Sequence, residues 1–343
     1  MRKLVVLAAA VVALSARAEQ KNVQLLTNMS DLQLQRTMNM MRASLGVNCD
    51  YCHVVDDKNG WNFASDDKKE KKAAREMIAM VLKINKEQFA GRTEVGCWTC
   101  HRGATHPAAL VTLPQAAPKF PTPKPERPNL PALDDIVKKY TAALGDVARL
   151  EQPRILKGTR ETFDGSKMPI EVVQNGNGTR VHITAETAAG RVEQVVNDTS
   201  GWSKDAKGVN EFQASGLENF RELARTLELT LPAEIPADAR VVGAETIVYG
   251  NAVIVAFRKD GVRQRLWFDQ TTNLLVRRVV VRDTPVGELP QQTDFSDWRD
   301  FGGTRFPQTI KTSLVDPWVG STRRYTEVTL GAKVDEAAFA KPK

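Results

Sequence analysis

Residues 49–53 read CDYCH and residues 97–101 read CWTCH. The chain has 343 residues but only four cysteines and four histidines, and these two stretches take every cysteine and half the histidines. Both have the form C-x-x-C-H, and four chemistries compete for it. A zinc site built from two C-x-x-C pairs usually separates them by about 15–20 residues. Here residues 53–96, 44 in all, lie between Cys52 and Cys97. A redox-active C-x-x-C wants a thioredoxin-like βαβ setting, and none surrounds either pair. Two disulfides would leave both histidines unexplained. Covalent haem attachment uses every residue: two thiols add to the haem vinyl groups, the two-residue gap lets one backbone turn reach both, and the next histidine turns its imidazole to the iron. The sequence thus predicts two covalent haem c groups and their iron. Cys49, Cys52 and His53 would hold one, and Cys97, Cys100 and His101 the other, with His53 and His101 as metal ligands.

Each iron has a sixth position. A methionine or second histidine there makes a low-spin electron-transfer centre, and an open position permits ligand binding or peroxidase chemistry. Upstream of the first motif lies SDLQLQRTMNMMRASLGVNC (30–49). Ser30 and Gln33 have capping-box spacing, so a helix is expected from about Asp31, ended by Gly46. Leu34, Met38, Met41 and Leu45 then share a face, with Met40 off it. Core packing is the ordinary use of such methionines. With a haem attached nearby, Met38 and Met41 are also candidate ligands.

The run MNMMRASLGVNCDYCH (38–53), a polar insert, the helical stretch AREMIAMVLKIN (74–85) and VGCWTCHRG (95–103) together resemble the cytochrome subunit of photosynthetic reaction centres, in particular its last two haem segments. The resemblance spans about residues 28–105. It implies that the helix before a motif supplies an axial methionine eleven residues ahead of the first cysteine, which falls on Met38. The best-known members carry four haems and this chain carries two motifs. Their last haem takes a distal histidine from an earlier segment, which is absent here. The second haem's sixth ligand therefore stays open: Met77 is the first choice and Met80 the second, both on a helix expected from about Asp67 to Asn85, on a face with Ala73, Val81 and Ile84. His106 lies five residues beyond His101, and His182 sits in a strand-like stretch where a structural role is expected. Trp61, Phe63 and Trp98 are candidates to cover haem edges, and Arg102 to pair with a propionate.

The first residues, MRKLVVLAAAVVALSARA (1–18), have a basic start, an apolar run from Leu4 to Leu14 and a small-x-small end at Ala16–Ala18. That is the pattern of a secretory signal peptide, and the run is too short to span a bilayer. Removing Arg2, Lys3 and Arg17 lowers the formal charge from +7 to +4. No basic stripe with interleaved aromatics appears, so nucleic acid is not an expected partner. Residues 107–131 hold eight of the seventeen prolines and read as an extended linker. After it, LDDIVKKYTAALG (133–145) reads as one helix. Nine β-rich segments follow: RILKGTRETF, TRVHITAET, RVEQVVND, RVVGAETIVYG, NAVIVAFRK, QRLWFDQ, NLLVRRVVVRD, RFPQTIKTS and RRYTEVTL, with one helix near 217–227. GWSKDAKG, LWFDQTTNLLVRR and FSDWRDFGGTRFPQTI resemble, more weakly, the periplasmic lipoprotein-carrier fold, which implies an open half-barrel and a hydrophobic ligand in the C-terminal domain.

The expected fold class is multidomain: a small all-α c-type haem domain, then an α+β domain with a curved antiparallel half-barrel sheet. The expected boundaries are 1–18 signal peptide, 19–106 diheme domain, 107–131 linker and 132–343 carrier-like domain. No catalytic constellation stands out. The leading expectation is a periplasmic diheme c-type cytochrome and not an enzyme. It would exchange electrons with periplasmic or membrane redox proteins, free in the periplasm or peripheral to a membrane. Two alternatives stay open: a peroxidase-type haem enzyme with one open iron, and a hydrophobe carrier with an accessory haem module.

Overall fold

The computed structural model describes residues 21–56, 60–110, 113–114, 130–176, 178–212, 214–317 and 319–342. The signal-peptide segment 1–18 and most of the 107–131 linker lie outside the described residues. The chain divides into two compact units, one formed by 148–228 with 297–343, the other by 19–147 with 229–296.

The second of these units opens with α1 (Asp31–Leu45). Ser30 caps it as its spacing predicts: Gln33 N–H donates to the Ser30 hydroxyl and the Ser30 N–H to the Gln33 side chain. Gly46 ends it in the left-handed region, at φ 66°. A 3-10 turn at Cys49–Tyr51 follows, then a short hairpin of β1 (Val54–Asp56) and β2 (Gly60–Asn62). Residues 19–106, expected to be all α, thus also carry a short β-hairpin. Next come α2 (Lys69–Gln88), the five-residue α3 (Cys97–His101) and α4 (Leu133–Leu144), which ends at Gly145.

The buried face of α1 differs from the one its apolar spacing suggests. Thr37, Met40, Met41 and Ser44 are buried, whereas Leu34, Met38 and Leu45 are only half-buried. The hydroxyls tolerate burial because each donates to a carbonyl one turn back, Thr37 to Gln33 at 2.9 Å and Ser44 to Met40 at 2.7 Å. In α2 the buried residues are Lys71, Ile78, Val81 and Asn85. Met77 and Met80 do not share the environment of Val81; they are 42% and 43% exposed.

The rest of this unit is an antiparallel run ordered β13 (Gly287–Asp300), β12 (Leu275–Thr284), β11 (Val262–Asp269), β10 (Gly250–Lys259) and β9 (Arg240–Ile247). Tyr140 of α4 is fully buried against it, 5.0 Å from the Phe268 ring, with its hydroxyl donating to the Thr230 carbonyl at 3.0 Å.

The other unit carries β3 (Arg154–Thr162), β4 (Lys167–Gln174), β5 (Val181–Thr187), β6 (Gly190–Val196), β7 (Gly201–Asp205), β8 (Gly208–Glu211), α5 (Ala214–Thr226), β14 (Arg305–Leu314) and β15 (Ser321–Leu330). Its antiparallel order is β8-β7-β6-β5-β4-β3-β15-β14, and β13 enters it with its last residues. Neither run closes on itself: β8 ends one and β9 the other. The expected antiparallel, open sheet is present. All nine expected strand segments are strands, and the helix near 217–227 is α5. β4, β7, β8 and β13 are the additions.

One contact governs the haem segment. A Cβ placed on Gly46 would stand 2.2 Å from the Gly103 carbonyl oxygen, while Gly103 N–H donates to the Ser44 carbonyl at 2.8 Å. The end of α1 is thus seated directly on the turn that follows the second motif. Gly46→Ala and Gly60→Ala separate this contact from backbone strain. Both glycines have positive φ, but nothing lies within 4 Å of a Cβ at Gly60. Gly60→Ala is expected to cost about 1–2 kcal/mol of left-handed strain. Gly46→Ala should cost on the order of 3 kcal/mol or more, because a backbone atom must move. Equal thermal shifts for the two variants would contradict the seating.

Candidate haem-binding site

Both motifs close a turn that puts their cysteines on one side. In the first, Cys52 N–H and His53 N–H both donate to the Cys49 carbonyl, at 3.3 and 3.0 Å. In the second, Thr99 N–H donates to the Gly96 carbonyl at 3.1 Å, and the Thr99 hydroxyl accepts from Gly96 N–H at 3.1 Å. All four cysteines are free. Burial pushes the Cys52 and Cys97 thiols up from their usual range. A nucleophilic redox pair needs the opposite shift. Among the described residues no three of His, Cys, Asp or Glu converge.

The second motif is held from three directions. Asn85, buried on α2, donates to the Val95 carbonyl at 2.8 Å and accepts from Glu94 and Val95 N–H at 3.2 and 2.9 Å. Cys97 N–H donates to the Val286 carbonyl in the β12–β13 turn at 2.9 Å. Gly96 lies so close to that turn that a Cβ would meet the Val286 oxygen at 2.6 Å. Val286 is fully buried with Leu26, Met41 and Ile78, and Met38 and Cys97 pack against the same cluster.

The histidines decide whether the site suits a haem. His101 Nδ1 lies 3.0 Å from the Ala104 carbonyl. A carbonyl only accepts, so the proton sits on Nδ1 and Nε2 keeps its lone pair, the tautomer a metal ligand requires. His53 Nδ1 is buried with no hydrogen-bond partner. Burial, with Lys71 close by, pushes the His53 imidazole below its usual range, which favours the neutral form. Its ring stands edge-on to Phe63 at 5.1 Å, and Phe63 stacks on Trp61 at 5.5 Å.

Several large apolar side chains of this segment are exposed. Tyr51, Val55, Trp61, Phe63, Met77, Met80 and Trp98 are all exposed, with Trp98 at 51%. Exposed aromatics within or next to the motifs, with Phe63 against His53 and Trp98 inside the second motif, suit a large flat apolar group. The residues present fit a covalently held haem at each motif.

Residues 6–131 match the family model described as photosynthetic reaction centre cytochrome C subunit. This chain is 38% identical over 89 residues to cytochrome c-554 of Chloroflexus aurantiacus, covering 24% of this chain and 20% of that protein. It is 38% identical over 107 residues to the photosynthetic reaction center cytochrome c subunit of Thermochromatium tepidum, covering 30% of this chain and 25% of that protein. The chain thus spans a quarter or less of the length of these relatives. A solved LolA superfamily protein from Nitrosomonas europaea aligns with 61% of this chain and 97% of its own, at 12% identity and a TM-score of 0.38. The resemblance read from the sequence for about residues 28–105 is thus found again. Among the described residues no helix is long and apolar enough to cross a membrane.

The six motif residues lie in the two turns described above, and sequence reasoning left three of the surrounding supports unseen. Asn85 carries no pattern of its own. Val286 is nearly 190 positions beyond the motif it braces. Lys71 is buried and donates to the Phe63, Ala64 and Ser65 carbonyls at 2.9, 3.1 and 2.7 Å. His182, on β5, pairs with Glu193 at 3.2 Å, in keeping with a structural role.

The turn that carries Phe63 to His53 is closed by Asp66, whose Oδ1 lies 2.9 Å from Arg75 and 3.0 Å from Lys71. The Arg75 hydrogen bond, then those of Asn22 and Lys71, hold the Asp66 carboxyl well below the usual carboxylate range. A depressed folded pKa adds stability above the unfolded value of about 3.9 and loses it as the pH falls towards the folded one. Asp66→Asn should therefore lower the melting temperature above about pH 4, and the gap to wild type should narrow in stronger acid. A gap that is constant with pH would show that the charge of Asp66 plays no part.

Proposed function

We propose that the protein is a periplasmic diheme c-type cytochrome that passes electrons between redox proteins of the periplasm or membrane and catalyses no reaction of its own. Residues 1–18 serve as the export signal, 19–106 as the diheme domain, 107–131 as the linker and 132–343 as a carrier-like domain. Cys49, Cys52 and His53 hold one haem, and Cys97, Cys100 and His101 the other. Each haem, when bound, supplies an iron that changes by one electron between ferrous and ferric.

The observation that carries this reading is the pairing of His101 Nδ1 with the Ala104 carbonyl at 3.0 Å, which reserves Nε2 for a metal one residue after two free thiols. The match of residues 6–131 to a cytochrome family supports it independently. Met38 is the assigned sixth ligand of the first haem, in line with its half-buried position on α1. Met77 is assigned to the second: a thioether 42% exposed on α2 is free of any packing duty that would hold it elsewhere. Apolar burial and thioether ligation both favour the ferrous state, so the pair is suited to accepting electrons at comparatively high potential.

The test is a pyridine haemochrome assay with intact mass, on full-length protein exported in a host able to mature c-type cytochromes. Two haems per chain are expected. Cys97→Ala combined with Cys100→Ala should leave one haem and an unchanged first centre. Ferric spectra should be low-spin with a sulfur-to-iron band, diminished in Met38→Ala. A colourless mature protein would overturn the assignment, and a high-spin centre in wild type would replace electron transfer with the peroxidase reading.

A further inference from the structure

The unit formed by 148–228 and 297–343 contains a buried arginine and a half-buried one paired across adjacent strands. Arg323 of β15 is directly paired in register with Arg160 of β3. Opposed residues in an antiparallel pair have Cβ atoms about 4.5–5.5 Å apart, and like charges there repel. The row continues outward to Met168 on β4 and Ile310 on β14, so apolar residues flank the two cations. Arg323 is 2% exposed, and its Nε and Nη1 have no hydrogen-bond partner; Arg160 Nε is likewise buried and unpaired. One row along the same face of β15 stands Ser321, whose hydroxyl is also buried without a partner.

Arg154, six residues before Arg160 on β3, is 5% exposed and fully served: it donates to the Leu150 carbonyl at 2.9 Å and to Gln174 at 2.8 Å, and it pairs with Glu228. The fold can supply a carboxylate to a buried guanidinium, and among the described residues none pairs with Arg323. Burial, and then repulsion from Arg323, lowers Arg160 to about 10. Burial lowers Arg323 as well. Both remain cations at neutral pH. An unpaired buried charge costs several kcal/mol unless a counter-charge arrives.

We infer that Arg160, Arg323 and Ser321 form an anion-binding site for a phosphate-class oxyanion. Two guanidinium groups match the charge of a tetrahedral dianion and the fork geometry of its oxygens, and the serine hydroxyl adds a third donor. Entry is from the half-buried side of Arg160 and Thr162. The next row along, at Tyr325, borders a cavity of about 10 Å³, room for about one water and not for an alkyl chain. The proposed ligand is a small free anion or an exposed phosphate headgroup.

The test uses the full-length haem-loaded protein in a chloride buffer of matched ionic strength, titrated calorimetrically with inorganic phosphate and, separately, with octyl phosphate. Saturable phosphate binding is expected, with a rise in melting temperature. Equal affinity for the two ligands indicates a free anion, and tighter octyl phosphate binding a headgroup source; both keep the site. Arg323→Met should weaken binding at least about tenfold. In phosphate-free buffer it should leave the melting temperature unchanged or raised, because a hydrophobe replaces an unpaired charge. Arg160→Gln, at a less buried position, gives the same binding readout if Arg323→Met fails to fold. No binding beyond the chloride control, or unchanged affinity in the variants, would overturn the site and leave the haem assignment untouched.

Discussion

Everything in the haem segment depends on how closely two glycines approach. Gly46 ends α1 in the left-handed region, and the Gly103 carbonyl occupies the space where its side chain would be. The Gly103 N–H returns the contact by donating to Ser44. A helix that precedes one C-x-x-C-H motif is thus fastened to the turn that follows the other. The two motifs, 44 residues apart in sequence, become parts of one body. No side chain larger than hydrogen permits this, so the constraint is steric before it is energetic.

Around that fastening the supports come from far away. Val286, in a strand hairpin, presents its carbonyl to the first amide of α3 and its side chain to the cluster containing Met41 and Ile78. Helix N-termini leave amides unsatisfied, and α3 is too short to satisfy its own. A hairpin turn supplies the acceptor that a capping side chain would otherwise provide. This explains why Gly96, which precedes the motif, is buried: only a glycine lets the hairpin backbone come near enough to accept from Cys97.

What the sequence made legible follows from the range of the forces involved. The capping box at Ser30–Gln33, the stop at Gly46 and the cysteine–histidine turns are local, so spacing alone reveals them. The buried face of α1 was misjudged because Thr37 and Ser44 look polar; their hydroxyls bond back along the helix and bury without loss. β4 and β13 carry Pro169 and Pro290, and β7 and β8 have five and four residues, so strand propensity is silent there. Asn85 and Lys71 were illegible for another reason. Each is a polar residue whose burial depends on carbonyls brought to it by the chain's fold, at Val95 and at Phe63–Ser65.

The two units lack opposite things. Beside the C-x-x-C-H motifs, aromatic rings and thioethers face outward with too little apolar surface against them. Between β3 and β15, guanidinium groups face inward with no charge to meet them. A fold selected for stability alone would exchange the two, placing Trp98 inside and Arg323 outside. Each arrangement costs free energy in the bare chain, and each proposal supplies a group of the complementary kind: a flat hydrophobe with a central metal at one, a compact polyanion at the other. Strain of this sort is specific in a way that a cleft is not, because its sign states what must fill it. The same sign separates the two ligands: an anion gains nothing from stacked Trp61 and Phe63, and a haem face gains nothing from paired cations.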